Sequence, residues 1–223
     1  MGGLLVVMVM KVGVLVFNTD RTVKGDASKL RGYISKRFKE YPILHHHVEN
    51  GYLYTYPRVQ YKIIERTPII LGIEEGADVL KIISDDIREL RIGNSKYKVK
   101  SIQMTVLEAD FGVCKEQLKY KFLTPWLALN QDNYEKYKGL DRRERKKLLN
   151  RILIGNILSM CKGLNYVVMN RLKVRSRLMS EVVEFKGIRM IGFKGEFTVN
   201  FNIPDFFGIG KGVSHGFGTV KRA

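Results

Sequence analysis

The chain has 223 residues, enough for one large domain or two of about 100 residues each. Hydrophobic residues make up 45% and charged residues 27%, which excludes a disordered tail. Against 22 Asp and Glu stand 39 Lys and Arg, a net charge of +17 and a pI of about 9.9, which points to a polyanionic partner, nucleic acid before an anionic membrane. The two cysteines, Cys114 and Cys161, are too few for a disulfide framework or a four-cysteine zinc site. They read as buried, reduced thiols and suggest the cytoplasm.

The first segment, MGGLLVVMVMKVGVLVF, has neither a basic n-region nor an A-x-A-like cleavage site. Lys11 splits its apolar run, which falls short of the roughly 18 residues of a membrane span. It reads as a buried first strand with a ragged start, with Met8 or Met10 as an alternative initiator, and Val12–Phe17 as the strand proper. Asp26 or Ser28 caps a helix to about Lys39, with Leu30, Tyr33, Ile34 and Phe38 on one face, and Pro42 ends it. Leu53–Ile64 reads as a strand interrupted at Pro57, and Thr67–Ile73 as its neighbour after a turn near Arg66. Ala77–Leu90 has helical spacing, and Lys96–Phe111 is a long strand. The order is the split β-α-β-β-α-β unit.

The second half begins the pattern again. Leu118–Leu129 is a strand candidate and residues 131–140 are polar and turn-like. Asp141 opens a helix to about Cys161, closed by Gly163. Leu172–Phe185 and Ile188–Phe201 form a hairpin about Lys186-Gly187. The reading is an α+β chain of two tandem ferredoxin-like, RRM-like domains, residues 1–113 and 114–223, with a glycine-rich loop at the C-terminus. Residues 1–110 have a net charge of +4 and residues 111–223 one of +13, so the second half carries most of the electrostatic footprint. Arg142, Arg143, Arg145, Lys146 and Lys147 crowd the start of its helix. Arg171, Lys173, Arg175 and Arg177 alternate, which puts them on one face of a strand.

The tail FGIGKGVSHGFG holds glycines at 208, 210, 212, 216 and 218. Val213 breaks a dinucleotide-binding spacing, and Gly212 stands where a P-loop needs Ser or Thr. Two readings remain, a flexible terminal hairpin and, preferred, a rigid loop whose amides, with Lys211, hold phosphates. The other concentration is His45-His46-His47. In extended chain His45 and His47 point the same way. Imidazoles ordinarily titrate near pH ~6.5, so one can act as base and the other as acid. RNA cleavage needs that pair and a cation for the phosphorane, but no metal. A zinc site lacks the His-x-x-x-His or Cys-x-x-Cys frame. Histidines without a role are the plain alternative. Tyr54 adds a hydroxyl or packs in its strand, and Lys36, Arg37 and Lys39 are candidate phosphate clamps.

The two β-α-β-β-α-β halves, the histidines after the first helix, the run Tyr54-Thr55-Tyr56-Pro57-Arg58-Val59-Gln60-Tyr61-Lys62, and the loop from Gly208-Ile209-Gly210 to Gly216-Phe217-Gly218 together resemble the RAMP superfamily. Within it they are most similar to the endoribonucleases that cut precursor CRISPR RNA inside each repeat. The resemblance covers nearly the whole chain. It implies metal-independent cleavage by 2′-hydroxyl attack, leaving a 2′,3′-cyclic phosphate and a 5′-hydroxyl, without a cofactor. His45 and His47 would be the acid–base pair and Tyr54 an auxiliary residue. Many members use a Tyr, His and Lys set. Tyr33 could fill the first place, but no lysine follows the histidines until Lys62, so a two-histidine variant with Lys36, Arg37 or Lys39 as the cation fits better. The implied partners are CRISPR repeat RNA and a CRISPR effector complex, with no membrane, and such folds can pair as homodimers through apolar strands. A non-catalytic RAMP subunit that holds guide RNA, and a general RNA-binding module, are the competing functions.

Overall fold

The structure is a computed structural model that describes residues 7–45, 47–48, 51–52 and 56–223; of 47–48 and 51–52 only the backbone is described. The elements in chain order are β1 (Val7–Thr19), α1 (Ala27–Arg37), β2 (His47–Val48), β3 (Gly51–Tyr52), β4 (Val59–Ile64), β5 (Thr67–Ile73), α2 (Glu75–Ser84), β6 (Glu89–Ile92), β7 (Ser95–Trp126), α3 (Gln131–Gly139), α4 (Arg142–Gly163), β8 (Val174–Phe185), β9 (Ile188–Asn202) and β10 (Val220–Arg222). The fold is mixed α+β, and every pairing with a defined register is antiparallel. Contacts divide it into two compact units. One is Val9–Ala109 with Val213–Gly216. The other holds Asp110–Gly212 and Phe217–Ala223.

In the first unit the strands lie in the order β4-β5-β1-β7. Asp26 caps α1, its carboxylate accepting from the Lys29 amide at 3.0 Å. This satisfies one of the donors that a helix start leaves open. Leu30 and Ile34, one turn apart, are fully buried against Leu15, Phe17, Tyr61, Ile70 and Leu80. The predicted helix over 77–90 is shorter than its periodicity suggests: α2 stops at Ser84, and Leu90 and Ile92 lie buried on one face of β6, where Leu90 faces Tyr97. Two residues apart suits a strand face as well as a sequence of apolar positions suits a helix, and pairing with β7 decided it.

The second unit has the order β10-β7-β9-β8. Three expectations change here. The strands predicted at 96–111 and 118–129 are one strand, β7, which absorbs the polar residues between them as a register shift between Val113 and Leu118 rather than a turn. The polar stretch 131–140 forms helix α3, capped by Asn130, which accepts from the Asn133 amide at 2.9 Å. Gly163 is the last helical residue of α4, and it is Asn165 that takes the left-handed conformation (φ 58°). The predicted start of α4 holds: Asp141 and Glu144 form a reciprocal capping box. Leu149, Leu153, Ile157 and Met160 bury one stripe. Lys186 and Gly187, both at positive φ, turn the β8–β9 hairpin. Among the described residues no α-helix separates β9 from β10. The glycine-rich segment and a 3-10 turn at Val213–His215 stand in the place of the second helix that the tandem pattern predicts.

Candidate active site

The N-terminal part of the histidine cluster is held by α1 and a 3-10 turn, Pro42–Leu44, that follows it. Leu44 anchors the turn: its side chain is buried, and its carbonyl accepts from Ser35 Oγ at 2.9 Å and Tyr61 Oη at 3.1 Å. His45 comes next and is half-buried. Its carbonyl accepts a hydrogen bond from Arg31 Nη2. His47 opens β2, paired to Tyr52 of β3, but its side chain lies outside the described residues, as do His46 and Tyr54. Tyr33 stands on α1 with its hydroxyl buried and without a hydrogen-bond partner among the described residues.

Arg31 is the side chain that sequence reasoning missed. Its Nη1 lies 2.8 Å from Nε2 of His215, and Nδ1 of that ring lies 3.1 Å from Ser28 Oγ. Burial lowers the Arg31 pKa from its ordinary value, yet a guanidinium stays charged and can only donate. The His215 Nε2 must therefore accept, which leaves Nδ1–H to donate to Ser28 and makes the ring neutral. The only sequence-level signal was that the fourth histidine sits among the tail glycines.

The glycines of this tail shape a path. Gly216 has φ 89°, and a Cβ there would stand 2.7 Å from the Ala27 Cβ and 3.1 Å from the Tyr61 carbonyl oxygen, so only glycine lets the tip come this close to α1 and β4. Gly218 has φ 64°, and a Cβ there would run into the Ile209 carbonyl. The expectation that the loop amides face phosphates is corrected at several positions. Those of Ile209, Gly216, Phe217 and Gly218 donate to Gly218, Val213, Gly212 and Pro125 carbonyls at 2.8–3.3 Å, and Gly208, Gly216 and Gly218 are buried. Gly210 and Gly212 are half-buried, and Lys211 is exposed with its amine 5.8 Å from the centre of the Phe185 ring. Gly218→Ala is expected to destabilise the protein by about 3 kcal/mol or more, a left-handed alanine (about 1–2 kcal/mol) plus displacement of a backbone carbonyl. Equilibrium urea unfolding measures this, and an unchanged midpoint would remove the constraint.

The predicted basic residues divide. Lys36, Arg37 and Lys39 are exposed after the helix face that carries Arg31, and Arg37 donates to the Asp86 carbonyl at 2.7 Å. Arg142, Arg143 and Lys146 are exposed on α4. Arg145 is instead a clamp: it donates to the Tyr137 and Lys138 carbonyls at 2.9 and 3.0 Å and lies 4.7 Å over the Tyr137 ring, closing the end of α3. Arg171, Lys173, Arg175 and Arg177 are all exposed, although only the last two lie within β8. Cys161 is buried, and burial pushes its thiol up to about 12. Cys114 is half-exposed, contrary to the expectation. Lys62 on β4 is fully buried. Its amine donates to Gln60 Oε1 at 3.0 Å, and burial pulls its pKa down to about 7. No helix among the described residues is long and apolar enough to cross a membrane.

Residues 8–110 match the model of the Cas6b N-terminal domain, and residues 112–223 that of the Cas6b C-terminal domain. Among solved structures the chain is similar to one described as Cas6b, with 41% identity, a TM-score of 0.91, and coverage of 97% of this chain and 100% of that one. It is likewise similar to a CRISPR RNA processing endoribonuclease Cas6b, at 37% identity and a TM-score of 0.78 with the same coverage. It is 49% identical over 138 residues to the uncharacterized protein MJ0978 of Methanocaldococcus jannaschii, a stretch covering 61% of this chain and 94% of that protein.

Proposed function

We propose, from the premise that this chain belongs to the Cas6b family and is a CRISPR RNA processing endoribonuclease, that it binds the CRISPR repeat and cuts within it by metal-independent general acid–base chemistry. One of His45 and His47 takes the proton of a ribose 2′-hydroxyl. The freed oxygen attacks the adjacent phosphorus, the bond from phosphorus to the 5′-oxygen breaks, and the other imidazole protonates that leaving oxygen. The products are a 2′,3′-cyclic phosphate and a 5′-hydroxyl. Tyr54 assists, and the two halves of the chain, residues 1–113 and 114–223, are ferredoxin-like domains, the second with a glycine strap in place of its last helix. The strand orders β4-β5-β1-β7 and β10-β7-β9-β8 support that reading, since the four strands of each order, ranked among themselves along the chain, run second, third, first, fourth or its reverse.

The observation that carries the active-site reading is that the His45 main chain and the strap meet on one guanidinium, that of Arg31. The test is precursor RNA incubated with the protein in EDTA, followed by end-group analysis. Cleavage inside the repeat with a cyclic phosphate is the expected result. Products with a 3′-hydroxyl and 5′-phosphate, or cleavage only with added divalent ion, would end the proposal.

RNA binding is served by exposed cations of the second unit, above all Arg175 and Arg177, which share one face of β8. An A-form stem is contacted mostly through its backbone, and each neutralised phosphate contributes to the salt dependence. Arg175→Ala with Arg177→Ala is expected to lower the slope of log K against log salt by about 2. A slope equal to the parent protein's would show that this face does not touch the RNA.

A further inference from the structure

Nothing in the chemistry above uses Arg31, Ser28 or His215, yet the three side chains are joined through the His215 ring. Ser28 and Arg31 stand one helical turn apart and share a face of α1. Between them they hold both nitrogens of the His215 ring, at 3.1 and 2.8 Å. The second arm of the Arg31 fork donates to the carbonyl of His45. A guanidinium is a rigid planar fork, so fixing one arm on the strap fixes the direction of the other. Gly216, pressed against Ala27 and Tyr61, keeps the ring in reach.

We propose that Arg31 is a positioning residue for cleavage, locked by the neutral His215 ring of the strap, and that it acts by orienting the main chain at the first of the paired histidines. The inference rests on the reading of His45 and His47 as the acid–base pair. A peptide carbonyl held at residue 45 fixes where the segment begins. His45 closes the 3-10 turn in a helical conformation (φ −95°, ψ −23°) rather than an extended one, so holding its carbonyl sets the direction in which the chain leaves the turn. Small misplacements of reacting groups are costly, about 10²-fold for ~1 Å, so a loosened segment shows itself in the rate of the chemical step. A residue that merely bound RNA would show itself in affinity, and one that merely held the fold together would show itself in the melting temperature.

The experiment measures the single-turnover cleavage rate at saturating protein, the Kd for a repeat RNA carrying a 2′-deoxyribose at the cleavage position, and a melting curve. It does so for the parent, Arg31→Ala, Arg31→Lys, His215→Ala and the Arg31→Ala/His215→Ala double variant. Arg31→Ala is expected to cut about 10- to 100-fold more slowly with Kd within threefold of the parent, and added guanidinium ion should restore part of the rate. His215→Ala is expected to lose less than Arg31→Ala, and the double variant to be no slower than Arg31→Ala alone, because the ring acts through the guanidinium. Multiplicative losses in the double variant, loss of affinity at a parental saturated rate, or no response to guanidinium would each overturn the proposal. If Arg31→Ala fails to fold, Arg31→Lys and His215→Ala carry the test, and parental rates in both overturn it. Parental rates here together with an inactive His45→Ala/His47→Ala protein would defeat this inference alone. An active His45→Ala/His47→Ala protein would defeat the active-site reading beneath it.

Discussion

Replacing both His45 and His47 by alanine is expected to slow cleavage of repeat RNA by about 10³-fold or more, with the Kd for that RNA changed by less than threefold. A positioned acid or base contributes about 10²–10⁴-fold, and groups that act in one step do not lose independently. The double variant therefore need not reach the product of the two single losses. Each single variant is expected to lose most of the activity by itself. Affinity is spared because it resides mainly in phosphate contacts, and the exposed cations of α4 and β8 are untouched by these changes. The measurement is single-turnover cleavage in EDTA, alongside binding at matched salt. A double variant that cuts at the parental rate would remove the imidazoles from the mechanism, and equal loss of binding would make them RNA contacts instead.

Lys62→Met is expected to stabilise the protein, by an amount that depends on pH in a definite direction. The amine is wholly buried and its pKa falls from 10.5 to about 7 through desolvation. Each unit corresponds to about 1.4 kcal/mol, so carrying the charge in the fold costs on the order of 5 kcal/mol. Loss of the bond to Gln60 offsets about 1–2 kcal/mol of that relief. Between pH 7 and pH 10.5 the unfolded chain holds a proton on Lys62 that the folded chain has released, so parental stability rises with pH across that window. The cost is fully present below pH 7 and gone above the unfolded pKa. The advantage of the methionine variant should thus be about 3 kcal/mol near and below neutrality and vanish, or reverse, by about pH 10.5. Urea midpoints at pH 6, 8 and 10 measure this. A gain independent of pH would mean that the amine is not titrating in the core.

Much of the architecture was legible from local chemistry. The cap at Asp26, the box at Asp141 and Glu144, the strand Thr67–Ile73 and the Lys186-Gly187 hairpin all arise from groups within a few residues of one another, and each stands where local rules put it. The misreadings have a common cause. Leu90 and Ile92 belong to β6 because β7 pairs with them. The polar stretch Gln131–Gly139 is helical with its end held by Arg145 eight and seven residues further on. The 114–117 segment stays in β7 because β9 continues on both sides of it. In each case a partner outside the window chose between two states of similar local preference.

The candidate site divides in the same way. The basic excess, the paired histidines and the glycine-rich tail are properties of the chain itself, and they pointed to RNA and to acid–base cleavage before any fold was known. That the tail's glycines serve close backbone approach, that Arg145 closes a helix, and that Lys62 is a buried amine were decided only by packing. So was the meeting of Arg31 with His215, 184 residues apart. Capping, turn and periodicity preferences act between near neighbours and leave their mark on the sequence. A contact between distant residues exists only once the loop between them has closed, and nothing in a short stretch of chain records which partner will be waiting.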